Sequence, residues 1–162
     1  MNTYTSNDYL DVLGQINLDE LNIKMLFEHY QKRYVQNERA QRFVSSSCKV
    51  TDEGKANCLI GYCDRTISSV IPSSKSYEGA SIRGSLQRMG LIRATGHELF
   101  VGCVVFPAYS DDGTVASAVG YRVRNVRKGD KAVIHWSKPE PEAYIDAGIA
   151  FARELIHGKA YH

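Results

Sequence analysis

Residues 91–124, LIRATGHELFVGCVVFPAYSDDGTVASAVGYRVR, constrain the fold of this chain more than any other stretch. Two apolar runs flank Ser110-Asp111-Asp112-Gly113. An Asp-Gly pair between β-branched runs signals a hairpin, because glycine takes a positive φ without a Cβ clash. Cys103-Val104-Val105-Phe106 is almost wholly apolar, which predicts a strand buried on both faces. Pro107 has no N–H to give a ladder, so it is expected to end that strand or lie on an edge. The return strand alternates. Val115, Val119, Tyr121 and Val123 fall on one face with Ser117, and Ala116, Ala118, Gly120, Arg122 and Arg124 on the other. The second face reads as flat near Gly120 and basic at its end, a surface on which a flat or anionic ligand could lie against the sheet.

The flanks supply helices. Asn17-Leu18-Asp19-Glu20 fits a capping box and predicts a helix from there to about Asn37, with Ile23, Phe27, Tyr30 and Tyr34 at helical spacing. Lys32, Arg33, Arg39 and Arg42 gather toward its end and just beyond, where positive charge complements the helix dipole on a solvated face or, alternatively, supplies a second phosphate contact. Ser45 to Lys55 is polar and reads as a loop or short hairpin, Cys58–Cys63 and Ile67–Ile71 as strands. Ser76 is placed to cap a helix whose buried stripe is Ile82, Leu86 and Met89 and whose stop is Gly90. Arg83 and Arg88 lie away from that stripe, free for solvent or phosphate. Lys131–Trp136 reads as another strand, and Ser137-Lys138-Pro139-Glu140 starts a last helix, 137–158. The sum is one α+β domain over 1–162: a curved, mainly antiparallel sheet of about five strands, with three main helices covering one face.

Charge matters here by its place rather than its total. The formal net charge is only +2, so bulk charge does not announce a polyanion binder. Between residues 83 and 131, however, Arg83, Arg88, Arg93, Arg122, Arg124, Arg127, Lys128 and Lys131 face only Glu98, Asp111, Asp112 and Asp130. A local basic patch governs phosphate binding. No apolar run is long enough to span a bilayer and no basic-then-apolar leader opens the chain, so the expected location is cytoplasmic, without membrane contact and with reduced cysteines.

Several chemistries are poorly served. Cys48, Cys58, Cys63 and Cys103 contain no Cys-x-x-Cys pair, so no metal site is expected. The loop serines lack a nucleophile elbow, and no phosphate-cradling glycine motif occurs. His97 beside Glu98 could form an acid–base pair, but a loop histidine more often makes a local hydrogen bond. His29, within the first helix, has no evident partner. Tyr121 and Trp136 could stack on bases, yet both lie where core packing is the plainer role.

The run Ile60-Gly61-Tyr62-Cys63-Asp64-Arg65-Thr66, then Met89-Gly90-Leu91-Ile92, Phe100, Gly102, Val104-Val105-Phe106-Pro107, Asp112-Gly113 and Gly120-Tyr121-Arg122, resembles in order and spacing the N-terminal part of the catalytic core of DnaG-type bacterial DNA primases and primase-like proteins of mobile elements. The resemblance covers residues 58–136, about half the chain. It implies a template-contacting role for Arg122 and, after it, Lys131. Face and charge add Arg83, Arg88, Arg124 and Arg127. The carboxylate signature of the Toprim subdomain, a Glu-Gly after a strand and then Asp-x-Asp, is not found, nor is a zinc ribbon. Two-metal phosphoryl transfer needs such clustered acids. The expectation is therefore a non-catalytic nucleic-acid-binding accessory protein, without cofactor, in mobile-element DNA replication. Its partner would be single-stranded DNA or an RNA–DNA hybrid, with a replication protein as a further partner. The alternative is a protein-interaction module that kept the scaffold and lost nucleic-acid binding.

Overall fold

The structure, a computed structural model, describes residues 6–47, 59–124 and 127–139. In chain order the elements are α1 (Ser6–Val35), α2 (Glu38–Ser46), β1 (Gly61–Tyr62), a short 3-10 turn (Ile67–Ser69), α3 (Tyr77–Arg88), β2 (Cys103–Tyr109), β3 (Val115–Arg122) and β4 (Val133–Ser137). The strands form one antiparallel sheet in the order β1-β2-β3-β4. The class is α+β as expected, with four strands rather than about five.

Helix α1 does not begin at Asn17 but passes through it. The acids of the supposed capping box are spent on tertiary contacts instead. Asp19 is buried and accepts from the Ser85 hydroxyl and from Arg88 Nη2 at 3.2 Å, and Glu20 pairs with Lys138 at 2.7 Å. The expected stripe is real: Ile23, Leu26, Phe27 and Tyr30 are all buried. Each such side chain is worth roughly 1.5–3 kcal/mol, enough to hold the helix on the sheet. Asn37 then breaks the chain into a second helix. Its Oδ1 accepts from the Ala40 N–H at 2.9 Å, while Gln41 Nε2 donates back to the Tyr34 and Val35 carbonyls at 3.0 and 2.9 Å. Helix α2 is thus an addition to the expected set, and Ser45 and Ser46 are its last turn rather than a loop.

The sheet is covered on both faces, not one. Cys103, Val105, Val115, Ala118, Ile134 and Trp136 pack with α1 and α3 on one side. Val104 packs with Ala40 and Val44 of α2 on the other, with Phe106, Tyr121 and Val123 around them. The doubly buried strand Cys103–Val105 is as the sequence indicates. Pro107 sits inside β2 opposite Ala118, beyond the last β1 pair, Gly61↔Val105. β1 itself is much shorter than the Cys58–Cys63 run; Cys48 and Cys58 lie outside the described residues, as does the last helix beyond Pro139. Ile67–Ile71 is a 3-10 turn leading into loop, since Ile67 and Ile71 both bury on the core while Ser68, Ser69 and Val70 face out.

The face assignment on β3 also changes. Pairing runs Ala108↔Ser117 and then Tyr109↔Val115, an irregularity that skips Ala116 and turns Val115 to the side of Ala118. The small-residue face is therefore no open shelf for a ligand. It is the core side, and a Cβ on Gly120 would stand 2.5 Å from Phe100 Cδ1. Trp136 is buried and its Nε1–H donates to the Met89 carbonyl at 2.7 Å, a packing role. Ser76 caps α3 by accepting from the Gly79 N–H, and Gly90 ends the turn after it at φ +80°.

Candidate nucleic-acid interface

Four arginines meet where β3 leaves the sheet. Arg65, Arg122, Arg124 and Arg127, with Asp130, line a concavity of about 350 Å³. Three of them are placed by different local devices. Arg122 ends β3 opposite Cys103, and its Nε–H donates to the Lys131 carbonyl at 2.7 Å, which leaves the terminal nitrogens for a ligand. Arg124 passes over Gly102, where the Val123 N–H is tied to the Gly102 carbonyl at 3.0 Å. A Cβ at Gly102 would sit 3.5 Å from Arg124 Nη2, so the bare backbone lets the guanidinium lie close.

Arg65 is held in the left-handed region, φ +66°, a conformation that costs a side-chain-bearing residue about 1–2 kcal/mol. Its neighbours fix it there. Asp64 accepts from Arg33 Nε at 2.5 Å and from the Thr66 hydroxyl at 2.5 Å. Thr66 has thereby given away its proton, so in its 2.8 Å contact with His29 the ring Nε2–H is the donor. Burial pushes the Asp64 carboxyl up, but the hydrogen bonds from Thr66 and Arg33 outweigh it and hold it below the usual carboxylate range. Asp64 is thus satisfied from α1 and from Thr66, and the exposed Arg65 turns to the groove.

Arg65 and Arg122 also stand on the edge of a larger cavity of about 730 Å³. Its walls include Ile67, Ile71, Ile92, Leu99 and Val101, with Arg83, Arg93 and His97 around them. Glu98 borders it and is buried, accepting from the Tyr30 hydroxyl at 3.0 Å. Burial raises the Glu98 carboxyl above its ordinary value, and the same burial raises the Tyr30 hydroxyl and the Cys63 thiol beside it. His97 next door is exposed, whereas Glu98 is buried on the Tyr30 hydroxyl; the His97 carbonyl accepts from the Arg93 N–H at 2.8 Å.

Of the six sequence-derived contact residues, Arg122, Arg124 and Arg127 come together. Lys131 contributes its carbonyl to Arg122 and leaves its own side chain exposed alongside. Arg83 and Arg88 are not free as expected. Arg83 Nη1 donates to the Pro72 and Gly79 carbonyls at 2.6 and 3.2 Å, clamping the loop ahead of α3. Arg88 pairs with Asp19 on α1. Arg33 and Arg42 are likewise engaged, with Asp64 and Glu38, and His29 has the partner the sequence did not show. Arg65 is the residue sequence reasoning passed over. It stood within the quoted Gly61–Thr66 run, but nothing local signals its positive φ.

Three solved structures share this arrangement of elements. A DnaG primase catalytic domain bound to ssDNA matches at TM-score 0.59 and 18% identity, over 80% of this chain and 42% of that one. A DnaG catalytic core matches at 0.55 and 19%, over 75% and 38%. The zinc-binding and RNA polymerase domains of the Aquifex aeolicus primase match at 0.54 and 17%, over 78% and 30%. The chain has a primase-like fold. It spans less than half the length of each of these primase chains. No protein-family model and no curated protein matches its sequence. Among the described residues of the primase-like fold, no three His, Cys, Asp or Glu side chains converge as a metal site would require, and no helix is long and apolar enough to cross a membrane.

Proposed function

We propose that this chain is a nucleic-acid-binding module built on a primase-like fold, holding the sugar–phosphate backbone of a single strand on Arg65, Arg122, Arg124 and Arg127, with Lys131 beside them. The observation that carries this is the convergence of four arginines on one concavity with a single acid, Asp130. Among the described residues no ion pair neutralises any of the four. Phosphate contacts of this kind position a strand without reading its sequence. The binding role is that of an accessory to synthesis rather than synthesis itself. Among the described residues, Asp64 is committed to Arg33 and Thr66, Asp19 to Ser85 and Arg88, and Glu98 to the core. That one of the solved primase domains of this fold is bound to ssDNA supports the choice of a single strand.

The experiment is a salt titration of binding to single-stranded DNA, duplex DNA and RNA. Affinity falls log-linearly with salt, because binding displaces condensed counterions. Replacing Arg122 and Arg124 together by alanine lowers the slope on a single strand by about 1.4, at roughly 0.7 per phosphate contact. The melting temperature stays nearly constant, since such surface substitutions shift stability by about 0.5 kcal/mol or less. Binding that ignores salt, or a double variant that unfolds while still binding, refutes the proposal.

A further inference from the structure

We infer that the groove receives an unpaired base as well as a phosphate: the base of the nucleotide held by Arg65 and Arg122 turns into the apolar-walled cavity beside them. This rests on the reading above and adds a second subsite to it. The two hollows share two residues, Arg65 and Arg122, so they adjoin at these side chains and differ in lining. The smaller part is lined by charged residues alone. The larger has Ile67, Ile71, Leu99 and Val101 on its walls and hydroxyls of Ser68 and Thr95 near the opening.

A nucleotide has that same division, an anionic phosphate and a flat apolar ring with a polar edge. The size is adequate: about 730 Å³ lies within the range of roughly 300–1,000 Å³ that small-molecule sites occupy. The geometry of the sharing residues supports a junction. Arg122 is held by its bond to the Lys131 carbonyl, so it is not ordered at the ligand's expense, and the left-handed backbone sets the direction in which the Arg65 side chain leaves the chain. A base in a duplex is stacked and paired, and entering the cavity would require extruding it. A base in a single strand has only weaker stacking to give up. The cavity therefore makes the module prefer unpaired strands for a reason other than charge.

The test compares two oligomers of equal length and phosphate number, oligo-dT and a strand of abasic residues, on the unmodified protein across a salt series. The expected result is equal salt slopes with the base-bearing strand bound tenfold or more tighter, the order of magnitude of one base buried against apolar groups. A single 2-aminopurine in the dT strand should also brighten on binding as it leaves its neighbours. Equal affinities with equal slopes overturn the inference and leave the phosphate groove standing. Failure of both strands to bind removes the groove, and the base subsite with it. Tighter binding of the dT strand without any change in 2-aminopurine emission also overturns it, since the bases would then be held outside a cavity.

Discussion

Arg65 trades stability for position. A left-handed arginine costs about 1–2 kcal/mol, while a glycine there relieves the strain but loses roughly 0.5–1 kcal/mol through its freer unfolded chain. Arg65→Gly should therefore raise stability, by up to about 1.5 kcal/mol, in chemical denaturation while weakening strand binding. A variant that is less stable than the parent would mean that the side chain, not the backbone, decides the local energy. Two acids nearby respond to pH in opposite senses. Glu98 titrates above its ordinary value of 4.5, raised by burial. Its contribution is complete below that value and is lost as pH rises through the higher folded value. Asp64 titrates below its ordinary 3.8, so its contribution is present above that value and fades as pH falls through the lower folded one. Melting curves of Glu98→Gln and the parent should thus coincide near pH 4 and diverge toward pH 7, with the variant the more stable. Parallel curves across that window would show that Glu98 holds its proton no more tightly in the folded chain than in the unfolded one. Asp64→Asn should instead flatten the acid limb.

At the scale of elements, Gly120 sets how closely the segment before β2 can lie on β3. Its missing side chain admits the Phe100 ring, with Cδ1 and Cε1 at 2.5 and 3.0 Å from the place a Cβ would take and Cys103 Cβ at 3.1 Å. Gly120→Ala is expected to cost about 1–3 kcal/mol by overpacking. Pairing it with Phe100→Leu should recover part of that loss, giving a non-additive cycle in thermal denaturation. Additive losses would mean that the ring already has room to move. Gly120 also shows what the sequence could convey. The hairpin, the Ser76 cap, the Gly90 stop and the packing role of Trp136 rest on chemistry within a few residues, and all were readable. The side to which β3 turns its small residues depends on a one-residue skip at Ala116, for which the alternation gives no sign. Likewise, the start of α1 was hidden because Asp19 and Glu20 can serve a cap or a distant partner equally well, and only Ser85, Arg88 and Lys138 decide it. The candidate site was half legible: Arg122 follows from the motif resemblance and Arg124 and Arg127 from face and charge, whereas Arg65 depends on a backbone angle, and Arg83 and Arg88 were diverted by carbonyls and an acid far away in sequence.

Over the whole molecule, the chain shares a fold with part of much longer primase chains, and among the described residues no three His, Cys, Asp or Glu side chains cluster as a metal site would require. Phosphoryl transfer needs metals held so as to neutralise the reacting phosphates. The purified chain, given template, ribonucleotides and magnesium or manganese, should yield no template-dependent product. A product abolished by Asp64→Asn and absent from a mock preparation would make the chain an enzyme in its own right.

The turn that joins β2 to β3 has a consequence of another kind. Asp112 accepts from the Ser110 hydroxyl, the Thr114 N–H and the Thr114 hydroxyl, and its carboxyl is pushed down to about 2 chiefly by Ser110. The tip therefore closes on itself, and Gly113 has nothing within 4 Å of where a side chain would begin. From Val115 to Arg122 the strand covers seven steps, about 24 Å at roughly 3.4 Å each. A dye or a surface linker attached beside Gly113 would consequently sit at the opposite end of β3 from Arg122, near enough to report by energy transfer on a labelled strand and too distant to obstruct it.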